Sequence, residues 1–538
     1  MKKLYLVHFI FFYIQISAQY TTIPDEDFEQ ELINQGIDSD GILNHLVLNS
    51  DINTVLNLTI TASNLHNILG IEGFTQLESI NIAYCYNLTS LDFSNNLNLI
   101  TIYCDSNSLT SINVSNNILL QVLNCGGNQL TVLDVSNNIN LTTLECGYNH
   151  LTVLDVSNNI NLSSLRCDTN QLTVLDFSNN INLSYLGCAY NLLTTLNVSN
   201  NINLIYLGCR SNQLTVLDVT NNINLIMLVC HYNLLTTLDV SQNVNLSTLD
   251  CGYNLLTTLD VSQNVNLREL YCYYNLLTTL NIYANPALQI LSCPYNLLTN
   301  LTITNVPQLY RLYCANNQLS TLDLSNFPLL KDLFCQNNLL TTLDFSYNPE
   351  LKRVFCYNNN ITTLNLNNNP LIDKLNCNNN NLSTLLLQNG ANTLLNGVWV
   401  TNPGGDPLVY DQRFNATNNP NLSCIFVDDV ANCNTNWVAK DITSHYVSTQ
   451  QECDNLQNEE FITNSFTVYP NPVNDILFIE NNNNNIIQEI VVYDVMGKTV
   501  IEQNGSIAQI DFSNITNGLY LVKITSEKEI IVKKIMKK

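Results

Sequence analysis

The residues most capable of chemistry are eighteen cysteines, six histidines and a series of evenly spaced aspartates. Fourteen cysteines recur at one constant interval, at positions Cys104, Cys125, Cys146, Cys167, Cys188, Cys209, Cys230, Cys251, Cys272, Cys293, Cys314, Cys335, Cys356 and Cys377. Such a column could bind metal, form stacked disulfides or fill a core with small apolar thiols. Zinc sites favour closely paired ligands, and the sequence contains no CxxC pair. In-register Cβ atoms on adjacent strands also lie wider apart than a disulfide prefers. The pattern favours buried free thiols and no metal site.

The histidines and aspartates give no sign of catalysis. The histidines occur at His8, His45, His66, His150, His231 and His445, in no nucleophile, zinc or paired-acid motif. We therefore predict no enzyme, no catalytic residues and no cofactor.

A second column consists of Asp134, Asp155, Asp176, Asp218, Asp239 and Asp260. Carboxylates at this spacing could recruit Ca²⁺ between repeats, but no calcium-repeat glycine pattern accompanies them, so a solvated face is favoured.

Charge and composition limit the classes of partner. The chain has 538 residues with 19 basic and 44 acidic side chains, a formal net charge of −25. This excess argues against nucleic acid or an anionic membrane as the main partner. Only 12% of residues are charged and 46% are hydrophobic, which also argues against intrinsic disorder.

The elements that must position these residues come from an internal repeat. At the third position after each of the fourteen cysteines stands an asparagine, giving a column of Asn107, Asn128, Asn149, Asn170, Asn191, Asn212, Asn233, Asn254, Asn275, Asn296, Asn317, Asn338, Asn359 and Asn380. A 21-residue period is typical of a solenoid. One unit, residues 141–161, reads LTTLECGYNHLTVLDVSNNIN, and its two halves echo each other. We expect each half to be a short strand followed by an Asn turn. Because an amide both donates and accepts, stacked Asn side chains can satisfy buried turn backbone, so Asn212→Leu should cost more stability than a surface change.

Residues 81–390 resemble the leucine-rich repeat family. The family pattern LxxLxLxxNxL is matched by LTTLECGYNHL, with cysteine in the third leucine position. The resemblance is closest to the class with two nested half-repeats. It implies about 14–15 right-handed coils with parallel sheets.

A candidate binding surface lies in the later coils. One column holds an aliphatic residue from Ile160 to Val265 and proline from Pro286 to Pro370, so the array changes character near Cys272. The later block contains six of the eight basic residues between positions 85 and 390, together with outward aromatic residues. The predicted ligand-binding set is Arg268, Tyr271, Tyr273, Arg311, Tyr313, Lys331, Phe334, Lys352, Arg353, Phe355, Tyr357 and Lys374. Exposed aromatics beside cations are typical of interfaces, although scattered exposed aromatics also occur on tolerant sheets. The more uniform earlier coils are interpreted as a spacer.

The N-terminal residues predict export. Residues 1–19 have the charged, apolar and small-residue order of a secretory signal peptide, and no other stretch could span a membrane, so we expect a mature chain with no transmembrane segment. Residues 20–80 are expected to form a cap and irregular first repeats. Phe28, Leu32 and Ile33 follow one another at helical spacing and resemble the helical N-terminal cap of secreted repeat proteins.

The C-terminal region divides into a cap, a linker and a small β-domain. Residues 391–455 resemble the C-terminal flank of secreted bacterial repeat proteins. Cys424 and Cys453 are the preferred disulfide, but Cys433 leaves the pairing open. A linker spans 456–465. Residues 466–538 alternate strands with Asn and Gly turns and predict an immunoglobulin-like β-sandwich.

The β-domain resembles the type A C-terminal sorting domain of the bacterial type IX secretion system. The resemblance rests on Tyr469, Pro470, Asn471, Pro472, Gly497, Gly518, Tyr520 and Lys533. It implies recognition by the type IX machinery and delivery to the outside or the outer surface of a Gram-negative bacterium. We therefore expect a secreted or surface-displayed binding or adhesion protein whose partner is a protein or a glycan. The alternative is a structural stalk, or an ice-binding solenoid that uses the Thr/Ser column running from Thr110 to Ser383.

Overall fold

The computed structural model describes residues 19–400, 409–458, 466–481, 486–505, 507–527 and 530–538. The predicted signal peptide, up to residue 18, and most of the predicted linker lie outside these ranges. The chain divides into two compact units between Tyr446 and Val447. This division falls inside the predicted cap of residues 391–455.

The strands of the first unit are short, and most contain three residues. They are β1 (Tyr20–Thr22), β2 (Leu46–Leu48), β3 (Asn57–Ile60), β4 (Ser79–Ile82), β5 (Ser90–Asp92), β6 (Thr101–Tyr103), β7 (Ser111–Asn113), β8 (Val122–Asn124), β9 (Thr143–Glu145), β10 (Ser164–Arg166), β11 (Tyr185–Gly187), β12 (Tyr206–Gly208), β13 (Met227–Val229), β14 (Thr248–Asp250), β15 (Glu269–Tyr271), β16 (Thr279–Ile282), β17 (Ile290–Ser292), β18 (Asn300–Ile303), β19 (Arg311–Tyr313), β20 (Asp332–Phe334), β21 (Arg353–Phe355), β22 (Thr363–Asn365), β23 (Lys374–Asn376), β24 (Thr384–Leu387), β25 (Val398–Val400), β26 (Val409–Asp411), β27 (Phe414–Asn415), β28 (Cys424–Val427) and β29 (His445–Val447). Helices are few: α1 (Glu26–Asn34), α2 (Asn49–Ile52), α3 (Val430–Asn436) and α4 (Gln450–Asn458), with single 3₁₀ turns at Ile71–Gly73 and Asn392–Leu395.

One strand from each coil joins the main sheet, which contains seventeen parallel strands from β3 to β27 among the described residues. The register advances by one repeat at each step, so that Leu165 pairs with Leu144 and with Leu186. The predicted parallel solenoid is confirmed. The array extends beyond residues 81–390 at both ends. The flanking coils contribute β3 and β27 to the main sheet although they lack the regular cysteine spacing.

The core lies between the sheet and the second half of each coil. In every coil the middle strand residue and the cysteine point inward, as Leu165 and Cys167 do. All fifteen cysteines from Cys85 to Cys377 are free and buried. Burial raises the pKa of these thiols, for example that of Cys209 from its ordinary value of 9.0 to about 12. A thiol that resists ionisation packs as a small apolar side chain.

The predicted Asn column joins each coil to the one before it. Asn212 Nδ2 donates to the carbonyl oxygen of Cys188 at 3.0 Å, in the preceding coil, and to that of Cys209 at 3.1 Å in its own. Its Oδ1 accepts the backbone N–H of Leu193, also in the preceding coil, at 3.0 Å. The pattern recurs along the column and ends in the cap, where Asn419 accepts from the N–H of Leu382 at 3.1 Å.

A second Asn column, which the sequence analysis did not single out, is buried at the opposite corner. Its members include Asn117, Asn138, Asn159, Asn180, Asn201, Asn222, Asn243 and Asn264. Asn180 Nδ2 donates to the carbonyl oxygens of Val156 at 3.0 Å and Asn159 at 2.8 Å, both in the preceding coil. Coils that carry both asparagines are therefore held to the previous coil at two corners, whereas Val306 and Phe327 interrupt the second column.

The second half of each coil is less regular than predicted. It forms paired strands at β5–β7, at β16–β18 and in the run β22–β24–β28 among the described coils of the array. The other described second halves lead into Asn-rich turns without a strand ladder, apart from one isolated bridge between Asn197 and Asp218. The Asp column lies at these turns. Each Asp accepts the N–H of the residue two positions later, as Asp155 does from Ser157 at 2.9 Å. In Asp155 this bond lowers the pKa of the carboxyl group.

Both ends of the array are covered. Helix α1 is capped at its N-terminus by Asp25, whose side chain accepts the N–H groups of Asp27 and Phe28, and it buries Phe28 and Leu32. At the other end Trp437 is buried against Phe414, with ring centroids 4.5 Å apart. Cys424 and Cys453 are disulfide-bonded, and Cys433 is a free buried thiol.

The second unit contains two antiparallel sheets. Their strands are β30 (Phe466–Tyr469), β31 (Ile476–Asn481), β32 (Ile487–Asp494), β33 (Thr499–Asn504), β34 (Gln509–Asp511), β35 (Gly518–Ser526) and β36 (Ile530–Lys537). The sheet orders are β30-β31-β34 and β33-β32-β35-β36, and one apolar cluster draws on both sheets, as expected for a β-sandwich.

Candidate binding surface

The outward face of the main sheet is three columns wide. The first and third residues of each strand point away from the core, and so does the residue after the cysteine, because side chains alternate along a strand. The predicted ligand-binding residues fall on this face or at its edge. The first residue of its strand is a cation in Arg311, Arg353 and Lys374. The third residue is aromatic in Tyr271, Tyr313, Phe334 and Phe355. The residue after the cysteine is a tyrosine in Tyr273 and Tyr357. Arg268, Lys331 and Lys352 stand one residue before their strands and are exposed.

The predicted aromatic residues of the later coils form a stack. The ring centroids of Tyr313 and Phe334 are 4.8 Å apart, and those of Phe334 and Phe355 are 4.7 Å apart with the rings nearly parallel. All three rings are half-buried. Neighbouring parallel strands, about 4.8 Å apart, impose this spacing. The result is a continuous aromatic strip across three coils.

Three of the six predicted cations form ion pairs with acids that were not among the predicted residues. Asp332 is 2% exposed and lies between two arginines. It accepts from Arg311 Nε at 3.1 Å and from Arg353 Nε at 2.6 Å. Lys374 Nζ pairs with Asp411 Oδ1 at 2.6 Å. This part of the face therefore combines paired charges with aromatic rings. Asp332 stands exactly one repeat from each arginine, which is the signal that could have revealed the network.

A recess of about 460 Å³ opens on the same face in the earlier coils. Small residues of the sheet make room for the side chains that line it. Gly187 and Gly208 occupy third strand positions in consecutive coils, and Ala189 follows a cysteine. The recess lies in coils that the sequence analysis interpreted as a spacer. Two glycines at equivalent positions of consecutive repeats were the available signal, but an absent side chain gives no indication of ligand chemistry.

Polar side chains surround the recess. Asp168 accepts the backbone N–H of Ala189 at 2.8 Å. Burial raises the pKa of this carboxyl group, while the charges of Arg166 and Arg210 act in the opposite direction. His231 Nδ1 lies 2.8 Å from Asp250 Oδ2. The structure thus pairs a histidine with a carboxylate although no sequence motif links them.

The neighbouring aromatic rings position the two arginines. The guanidinium of Arg166 lies 4.7 Å from the centroid of the Tyr185 ring, and that of Arg210 lies 5.0 Å from the centroid of Tyr190. Tyr206 stacks on Tyr185 at 4.2 Å, and burial raises the pKa of Tyr206 to about 12. Cation–π contacts of this kind hold a guanidinium in one plane.

The glycines are needed by the side chains that lie across them. A Cβ at Gly187 would stand 2.7 Å from Asp168 Oδ2, and one at Gly208 would stand 2.6 Å from the Tyr206 hydroxyl. Both distances are too short for a real contact. The flat arrangement of Asp168 and Tyr206 over the floor therefore depends on the two glycines.

A separate tyrosine column lines the turn after the sheet. The rings of Tyr232, Tyr253, Tyr274 and Tyr295 stack with centroids 4.0 to 4.2 Å apart, although their backbones have positive φ angles. In later coils the same turn carries asparagines, with Asn337 Nδ2 donating to Asn316 Oδ1 at 2.8 Å. Because the tyrosine faces cover one another, this column presents ring edges rather than a flat platform.

In the C-terminal unit the predicted sorting residues hold strands and turns together. Asn471 Nδ2 donates to the carbonyl oxygen of Lys534 at 2.8 Å, and Asn471 Oδ1 accepts the N–H of Met536 at 2.9 Å. Pro470 and Pro472 both follow cis peptide bonds, the first of them after Tyr469. Gly497 occupies the left-handed turn between β32 and β33. Gly518 begins β35, the Tyr520 hydroxyl donates to the carbonyl oxygen of Thr516 at 2.7 Å, and Lys533 lies in β36.

Residues 467–538 match the family described as secretion system C-terminal sorting domain. This domain directs export through the type IX system to the cell surface or outside. Among the described residues, no helix is both long and apolar enough to cross a membrane. No curated protein matches the sequence significantly.

Solved structures similar to this chain are leucine-rich repeat proteins. The functional domain of InlJ from Listeria monocytogenes, which includes a cysteine ladder, is 26% identical with a TM-score of 0.59, and the match covers 96% of this chain and 98% of that one. A leucine-rich repeat protein of Leptospira interrogans is 21% identical with a TM-score of 0.54, covering 76% of this chain and 95% of that one. An internalin of Listeria monocytogenes is 21% identical with a TM-score of 0.51, and the match covers 58% of this chain and 95% of that one. The chain is thus an exported leucine-rich repeat solenoid that carries a C-terminal sorting domain.

Proposed function

We propose that this protein is a secreted or surface-displayed binding protein, without catalytic activity, whose protein or glycan partner docks on the outward face of the main sheet. The observation that carries the proposal is the composition of that face. Aromatic rings and charges held by neighbouring side chains recur on its three columns, where a solenoid with no ligand needs only small polar residues. Ordered aromatic and arginine side chains are typical of residues that dominate binding energy.

The test compares two sets of substitutions in the full chain. One variant combines Lys352→Ala, Arg353→Gln and Phe355→Ala on the outward face. A matched control replaces three exposed valines of the second half-repeats, Val153, Val174 and Val216, by alanine. Labelled proteins are applied to a glycan microarray and to immobilised collagen, fibronectin and laminin.

The proposal expects the wild type to bind at least one of these surfaces. The face variant should bind at least tenfold more weakly, and the control should bind like the wild type, with all three proteins showing the same circular dichroism. Equal binding by the face variant and the wild type would contradict a partner at the later coils. Absence of wild-type binding to every surface would count against the proposal as a whole.

The structural or ice-binding alternative is favoured by one observation, the exposed Thr/Ser column. Several of its hydroxyls donate to backbone carbonyls of the preceding coil, as Thr110 does to Thr89 at 3.1 Å and Ser383 to Thr362 at 3.3 Å. These bonds give the column a structural role and leave fewer hydroxyl donors for ice. A thermal hysteresis assay separates the two ideas, since hysteresis in the wild type that is lost on Thr→Val substitution would support ice binding.

A further inference from the structure

We infer that the recess bounded by Arg166, Asp168, Tyr206, Arg210, His231 and Asp250 is a binding site for a neutral carbohydrate chain. This inference rests on the proposed function and makes it specific. It moves the main ligand site from the later coils to the earlier ones, and it assigns the ligand to one chemical class.

The shape of the recess is the first step. Its volume of about 460 Å³ lies in the range of small-ligand sites. Gly208 and Ala189 line the recess, the side chain of Asp168 lies over Gly187, and the walls come from coils on both sides. The site is continuous with the sheet face along the solenoid, so that a linear chain could extend over neighbouring coils in either direction.

The charges on the walls exclude a strongly charged ligand. Two arginines face three carboxylates, those of Asp168, Asp250 and Glu269, which also line the recess. His231 Nδ1 lies 2.8 Å from Asp250 Oδ2, and each arginine lies against a tyrosine ring. Because charges of both signs alternate on the walls, neither an anionic nor a cationic ligand finds walls of one complementary sign.

The remaining chemistry suits hydroxyl groups. A sugar hydroxyl both donates and accepts, and the walls alternate donors on arginine with acceptors on aspartate. Hydrogen bonds to charged groups are the stronger ones, and these side chains are held in place before a ligand arrives. The half-buried Tyr206 ring adds an apolar surface for the C–H groups of a sugar. A protein partner would instead be expected to insert an apolar anchor into an apolar pocket, whereas this recess mixes apolar side chains such as Met227 and Val229 with the charged groups named above.

Asp168 provides the most informative variant because it has a matched control. Asp105 occupies the equivalent position after its cysteine, three coils earlier and outside the recess. Its Oδ2 accepts from the Ser106 hydroxyl at 3.2 Å. Asp168→Asn retains an oxygen that can accept the Ala189 N–H and removes a charge that burial disfavours. Stability should therefore be equal to or above that of the wild type, whereas a residue with a purely structural role would lose stability.

The experiment is isothermal titration calorimetry of the full chain with cellohexaose, laminarihexaose, chitohexaose and mannohexaose, with polygalacturonate as a charged comparison. The variants are Asp168→Asn and Arg210→Gln, and the control is Asp105→Asn. We expect at least one neutral hexasaccharide to bind the wild type and the control. We expect at least tenfold weaker binding to both recess variants, without loss of thermal stability in Asp168→Asn.

Three outcomes would overturn the inference: no neutral hexasaccharide binds, only polygalacturonate binds, or the recess variants bind like the wild type. Its failure is distinguishable from failure of the proposed function. If the hexasaccharides fail but the variant at Lys352, Arg353 and Phe355 still loses binding to the arrayed surfaces, only the recess assignment is wrong. If neither set of variants changes any binding, both proposals are wrong.

Discussion

Asn212→Leu tests the Asn column directly. The substitution removes an oxygen that accepts the N–H of Leu193 and an amide that donates to the carbonyl oxygens of Cys188 and Cys209. The two carbonyls keep other partners, since Asn191 also donates to Cys188 at 3.2 Å and Asn233 also donates to Cys209 at 3.1 Å. The Leu193 N–H, by contrast, is deprived of its side-chain acceptor.

These contacts set the magnitude. A buried unsatisfied donor costs about 1 to 3 kcal/mol, and two weakened hydrogen bonds add about 1 kcal/mol, so the free energy of unfolding should fall by about 2 to 4 kcal/mol. The control is Asn221→Leu, in the second half of the same coil. Asn221 also donates to the preceding coil, to Ser199 at 3.2 Å, but it is exposed, so water replaces the lost bond and the change should stay below about 0.5 kcal/mol.

Chemical denaturation of the full chain measures the difference. Hydrogen exchange followed by mass spectrometry locates it, because peptides from residues 188–214 should exchange faster in Asn212→Leu alone. Equal denaturation midpoints for the two variants would refute the reasoning, since the buried amide would then contribute no more than an exposed one.

Three further predictions concern the core, the sheet face and the sorting domain. Burial raises the pKa of Cys209 from its ordinary value of 9.0 to about 12, so above pH 9 the unfolded chain loses a proton that the folded chain keeps. The free energy of unfolding should therefore fall between pH 8 and pH 10 by about 1 kcal/mol per such thiol. The Cys209→Ala variant should show a smaller fall in denaturation midpoint over the same pH range. Asp332→Asn removes the carboxylate between two arginines, and because both guanidiniums are partly exposed the loss should be about 1 to 2 kcal/mol; an unchanged melting temperature would show that the ion pairs add nothing. Asn471→Ala breaks two hydrogen bonds to β36 and should lower the stability of the C-terminal unit by about 1 to 2 kcal/mol. It should also reduce export, measured as the fraction of protein in the culture medium. Normal export of this variant would show that Asn471 is not needed for sorting.

The repeat made the array predictable. A constant period fixes the register, because equal coils stack only when equivalent residues lie beside each other. The inward leucines and cysteines, as in Leu165 and Cys167, follow from strand alternation. The sequence could not show that the second half of each coil would be irregular. The Asn column makes the same bond in a coil with paired strands in its second half, at Leu277, and in one without, at Leu193, so the repeated pattern does not tell the two kinds of coil apart.

The binding surface was predicted only in part. Side chains with evident chemistry, such as Tyr313 and Arg353, were identified and lie on the sheet face. The ion pair between Arg353 and Asp332 was not predicted, because in the sequence Asp332 is separated from the arginine by a whole repeat and only the stacking of coils brings them together. The recess was missed because Gly187 and Gly208 contribute by having no side chain.

The backward direction of the Asn bonds makes the coils interchangeable. Each coil completes the one before it and is completed by the one after it, and Asn419 of the cap performs the last of these steps for Leu382. The bonds of this column are therefore the same at every junction between coils that carry it. Duplication or loss of a whole module leaves these bonds intact, whereas a partial deletion breaks them. The number of coils is then free to change in evolution without redesign of this column.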